Sequence, residues 1–107
     1  MTHKLINLFG DFAEDKDKAK DLRIKQILPE LEKGNNIIID FEGVNNATQS
    51  FIHALISDLI RKKGIDVLDN IEFKNCNETI KTIITIVVNY MQDSIELEET
   101  EGEDSQE

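Results

Sequence analysis

The hydrophobic pattern of the chain centres on one run, Ile37-Ile38-Ile39-Asp40-Phe41-Glu42-Gly43-Val44, and on the helix that follows it. Four apolar residues in five positions, three of them β-branched isoleucines, read as a central parallel strand buried on both faces. A short polar turn, Asn45-Asn46-Ala47-Thr48, leads to apolar residues at 51, 52, 55, 56, 59 and 60. That spacing makes one helical stripe and predicts a helix from Ser50 to Lys63. Arg61-Lys62-Lys63 set positive charge at the negative end of the helix dipole, and Gly64 suits the position just beyond it. A buried strand therefore feeds a helix through a loop at the strand's carboxyl end, where open α/β folds present their binding groups.

The same pattern orders the rest of the chain. Leu5 to Phe9 is an apolar run closed by Gly10-Asp11 and reads as a strand. Glu14, Asp15 and Asp17 open a helix with apolar positions at Ala19, Leu22, Ile27, Leu28 and Leu31, and Lys33-Gly34 ends it. Pro29 lacks a backbone donor and is expected to kink its last turn. After a connector over residues 64–70, Ile71-Glu72-Phe73-Lys74 alternates as an edge or half-covered strand does. Thr79 to Met91 has high strand propensity, yet Ile80, Ile83, Ile84, Val87, Val88 and Met91 space as a helical face, and Asn77 with Glu78 makes a good helix start. The order β-α-β-α-β-α predicts one α/β domain over residues 1–92, a mixed or parallel sheet with helices packed on it.

Charge changes this picture at one end. Of a formal net charge of −10, eight negative charges fall in residues 93–107, which hold no base, and residues 1–92 keep only −2. Residues 93–107 are expected to be an acidic disordered tail. A nearly neutral body has no basic stripe for nucleic acid. A lone cysteine, Cys76, excludes an internal disulfide and fits a reducing compartment. With no long apolar run and no signal-peptide core, the expected location is the cytoplasm, away from the membrane.

Candidate chemistry is sparse. Asp40 suits a carboxylate that accepts hydrogen bonds from the following turn, and Gly43 a turn that needs positive φ. Thr48 and Ser50 stand at a helix start, where hydroxyls cap free N–H groups and where those groups also attract anions. His3 and His53 lie 50 positions apart with no cysteine or carboxylate at ligand spacing, which argues against zinc. Cys76 is most simply a small core filler. No phosphate-binding glycine loop, nucleophile elbow or Cys-x-x-Cys occurs, so neither an enzyme nor a cofactor is expected.

Ile38-Ile39-Asp40-Phe41-Glu42-Gly43-Val44, then three residues, then Thr48-Gln49-Ser50-Phe51-Ile52 resembles the signature of the STAS-like domain family of unknown function, a distant relative of bacterial anti-sigma-factor antagonists. The likeness runs from about Asp17 to about Tyr90 and takes in Phe73-Lys74-Asn75. It implies a non-enzymatic regulatory module that docks a protein partner, an ATP-binding kinase-like regulator of anti-sigma type. In the antagonists the loop after the central strand carries a phosphorylated Ser or Thr. The matching position here is Ser50, with Thr48 second, and the implied contact surface is Asn45, Asn46, Thr48, Gln49, Ser50 and His53. The antagonists show Asp-Ser-Ser/Thr-Gly where this chain has Thr48-Gln49-Ser50-Phe51, without the acid, one hydroxyl and the glycine. The alternative implied by the same family is a sensor that binds a nucleotide or other anion at this helix start.

Overall fold

The computed structural model describes residues 2–101, with side chains as far as Asp93. The chain runs β1 (Thr2–Lys4), α1 (Leu5–Phe9), β2 (Phe12–Ala13), α2 (Lys16–Leu22), a π-helical turn (Arg23–Ile27) and α3 (Leu28–Glu32). It continues through β3 (Ile37–Asp40), β4 (Asn46–Ala47), α4 (Gln49–Lys63), a 3₁₀ turn (Ile65–Asn70), β5 (Ile71–Lys74) and α5 (Glu78–Glu101). The sheet β1-β3-β5 is wholly parallel, with the isoleucine run at its centre. Helix α4 packs between α2 and α5, so the α/β architecture is a sheet backed by a helical layer.

The register explains why one isoleucine of the central run departs from expectation. Thr2, Ile38 and Glu72 form one cross-strand row, and Lys4, Asp40 and Lys74 form another. Residues aligned in this way share a face of the sheet. His3, Ile37, Ile39, Ile71 and Phe73 point the other way, and all but half-buried Phe73 are buried. Ile37, Ile39 and Ile71 join the core with Leu55, Leu59 and Ile80 of the helices. Ile38 was expected inside but is only half-buried, because helices cover one face and the other carries charge.

Four further elements differ from the pattern reading. The first strand is Thr2–Lys4, and Leu5–Phe9 is a helical turn: Leu5, Ile6 and Phe9 turn inward at helical spacing while Leu8 faces out. The polar turn at 45–48 contains β4, which pairs in parallel with β2, a contact between segments too short for any periodicity to reveal. The irregularity expected near Pro29 takes the form of a π-helical turn just before it, where the Leu28 N–H bonds to the Arg23 carbonyl. Such widening relieves the clash of the proline ring with the carbonyl four residues back. It also aims buried Arg23 across at α4, where its guanidinium donates to the Ala54 carbonyl and pairs with Asp58 at 3.1 Å. Finally, α5 does not stop near Asp93 but carries its backbone to Glu101. Glu and Leu are good helix formers, which favours this continuation. The remainder of the expected tail, 102–107, lies outside the described residues.

Candidate functional site at the strand ends

Helix α4 opens on Thr48, whose hydroxyl accepts the Phe51 N–H at 3.1 Å while its own N–H donates to the Ala13 carbonyl at 3.0 Å. That geometry makes Thr48 the cap, half-buried and fastened to β2. Gln49 and Ser50, in the first turn, are exposed, and His53 one turn on is half-exposed. These three side chains line an open groove of about 500 Å³ together with Lys16 and Ala54. The His53 ring lies 6.1 Å from that of Tyr90 on α5, and Tyr90 is 58 % exposed.

The other expected site residues gather elsewhere. Asp40 ends β3 with its Oδ1 accepting the Glu42 N–H at 2.9 Å and the Asn75 side-chain amide at 2.8 Å. The Asn75 bond, then the Glu42 bond, hold its carboxyl below the usual aspartate range, with lesser help from Lys4 and Lys74 on either side of it in the sheet. Asn75 itself sits at φ +59°, the left-handed region that asparagine tolerates better than most residues. Asn77 donates its amide to the Asn45 carbonyl at 2.7 Å and accepts the Ile80 N–H at 2.9 Å, so it ties the β3 loop to α5 and caps α5 at once. Gly43 takes φ +85°, and a Cβ there would come within 3.2 Å of the Ile6 side chain. Asn46 lies in β4, with its side-chain oxygen on the Ala47 N–H.

The site residues inferred from sequence thus divide. Gln49, Ser50 and His53 share a groove, while Asp40 and Asn45 belong to a hydrogen-bonded knot with Asn75 and Asn77. Lys16 completes the groove and Tyr90 stands beside His53 at its side, and neither has a local sequence signal, since both arrive from distant helices.

The model of the STAS-like domain of unknown function matches residues 18–81, more than half of the chain. The chain belongs to that family. The match spans both groups of site residues from Asp40 to Asn77, while Lys16 and Tyr90 lie just outside it. No curated protein and no solved structure matches the chain.

Two other reactive side chains of this STAS-like domain, Cys76 and His3, are shifted by burial. Burial pushes the half-buried Cys76 thiol up, with Lys81 opposing, and so disfavours a thiolate. Burial likewise lowers the pKa of His3, whose Nε2 is enclosed without a partner among the described residues. Among the described residues no cluster of His, Cys, Asp or Glu could hold a metal ion, and no helix is long and apolar enough to cross a membrane.

Proposed function

We propose that this STAS-like domain is a non-enzymatic regulatory module of the cytoplasm, docking a protein partner through residues 45–51 and His53. The observation that carries the reading is the exposed first turn of α4, where Gln49 and Ser50 stand free of the core beside Lys16, His53 and Tyr90. An aromatic and several adaptable polar groups gathered from α2, α4 and α5 make a suitable recognition patch. The partner class in this reading, an ATP-binding kinase-like regulator of anti-sigma type, is proposed from the resemblance of the strand–loop–helix signature to the anti-sigma-factor antagonists. Within this reading Ser50 is the phosphoacceptor rather than Thr48, because the Thr48 hydroxyl is engaged in capping and half-buried.

Phosphate on Ser50 would bring negative charge to a helix start, where the fold accepts it, and to a docking face, where it must be desolvated. The test is the affinity of the ATP-binding partner for wild type, Ser50→Ala and Ser50→Asp. Ser50→Ala should bind like wild type, and Ser50→Asp should bind more weakly by about tenfold or more, on the order of 1.4 kcal/mol. If both variants bind like wild type, recognition lies on another surface. A rise in melting temperature on adding ATP or GTP alone would instead favour the sensor reading.

A further inference from the structure

The sheet ends at β5, and what lies beside that end is unusual for an edge. The β5 strand pairs only with β3 among the described residues. Its Lys74 carbonyl accepts the Phe41 N–H at 2.9 Å, which turns the peptide groups of Lys74 toward the interior of the sheet. Peptide groups alternate sides along a strand, so the N–H and C=O of Phe73 point to the open edge. The Ile71 N–H, on that same side, is already taken by the Leu68 carbonyl of the 3₁₀ turn.

Helix α5 stands beside this edge. It packs on α4, the helix that links β3 to β5, and its first turns meet the end of β5 across a groove. An open groove of about 560 Å³ runs between β5 and α5, lined by Phe73, Asn75, Cys76, Lys81, Ile84 and Thr85. Its floor is apolar, with Ile84 buried and Phe73 and Cys76 half-buried. Lys81 is its one charged lining residue among the described residues. A strand edge that is unpaired among the described residues, beside an apolar floor, is a geometry in which extended peptides add a strand.

We propose that this groove receives an extended segment of a partner polypeptide, which adds a fourth strand beside β5, seats an apolar side chain on Phe73 and Ile84, and sets an acidic one at Lys81. The main chain of the segment bonds to the Phe73 peptide, which gives affinity. The apolar floor and the single cation give selectivity, for an acidic residue two positions from an apolar one, since alternate residues of a strand share a face. This surface is separate from the α4 groove of the proposed function, because the two linings have no residue in common.

The experiment uses a phage-displayed library of random decapeptides selected on the full chain, followed by synthesis of the enriched peptide. The expected peptide pairs an apolar with an acidic residue at that spacing and slows amide exchange at Phe73. Lys81→Glu and Thr85→Arg, both at exposed positions, should each weaken it by about tenfold or more while melting as wild type does. Ser50→Asp should leave peptide affinity unchanged, whatever it does to the kinase-like partner. The proposal is overturned if no peptide is enriched, if the peptide protects other amides, or if it binds Lys81→Glu and Thr85→Arg undiminished. It is overturned equally if sedimentation shows a dimer whose formation protects Phe73, because the occupant is then a second copy of the chain.

Discussion

Two helices start where parallel strands of the sheet end, and they are fastened in opposite ways. The start of α4 rests on one hydroxyl, Thr48, and then turns Gln49 and Ser50 to solvent. The start of α5 is laced down: Asn75 holds Asp40, and Asn77 holds Asn45 while capping its own helix. The laced end uses its polar side chains on the fold itself, which fixes the height of the β3 loop against α5. The open end can keep its polar side chains for something outside, because its backbone is steadied by β2 and β4 pairing behind it. An exposed face, the one proposed for docking, and a structural knot therefore sit side by side, told apart by where each side chain's hydrogen bonds go.

The largest effect should come from cutting the laced end. Asn77→Ala removes a helix cap, typically about 1 kcal/mol, together with a tie to the Asn45 carbonyl worth roughly another. For a domain of this size a loss of about 2 kcal/mol lowers the melting temperature by on the order of 10 °C. Thermal melting with exchange at the first amides of α5 measures it, and an unchanged melt would mean that the knot holds nothing. Thr48→Ala, the equivalent cut at the open end, should cost about 1 kcal/mol, since only the cap is lost. Thr48→Ser keeps the oxygen and should recover most of that. Equal losses at the two ends would erase the contrast between them.

The contrast also marks what was legible in the sequence. The open end could be read locally: apolar spacing located α4 to within one residue at its start, and Thr48 and Ser50 stood out as hydroxyls ahead of a stripe. The central strand, its edge neighbour β5 and the helix after Asn77 followed from pattern alone in the same way. The laced end could not be read, because Asn75 and Asp40 are 35 positions apart and Asn77 and Asn45 are 32 apart. A polar side chain that reaches across the fold leaves no period. For the same reason the β2–β4 pair, the Arg23 bond to α4 and the approach of Lys16 and Tyr90 to the site were hidden. The half-buried state of Ile38 was hidden too, because an apolar run does not say how many faces of its sheet are covered.

Acid should loosen the laced end selectively. The Asp40 carboxyl has a folded pKa below its ordinary value of 3.8, owing first to the Asn75 amide and then to the Glu42 N–H. The charged form is therefore the one the fold favours. Its contribution is complete above the unfolded value and is lost as pH falls through the lower folded one. Melting temperature from about pH 5 down to about pH 2 should fall more steeply for wild type than for Asn75→Ala, which lacks the main cause of the shift. The change should be smaller than either cap deletion, because a protonated carboxyl still accepts through its carbonyl oxygen. Parallel curves for the two proteins would show that the Asn75 contact does not depend on charge.

The smallest effect on folding belongs to Ser50, and its smallness is what the open end requires. Helix α5 carries Glu78 in its first turn and α2 carries Asp17, but the first turn of α4 has no acid. Ser50→Asp would supply the missing charge at the positive end of the dipole and should stabilise the domain by about 0.3–1 kcal/mol at low salt. Ser50→Ala removes only an exposed hydroxyl and should stay within about 0.5 kcal/mol of wild type. Raising the salt should shrink the gain of Ser50→Asp, since an exposed charge at a helix end is screened, whereas the loss in Asn77→Ala should persist. Melting curves of the three proteins at low and high ionic strength give the comparison. If Ser50→Asp instead destabilised the domain, the first turn of α4 would be held as closely as that of α5, and the division between an open and a laced helix start would fail at the residue on which the proposed switch depends.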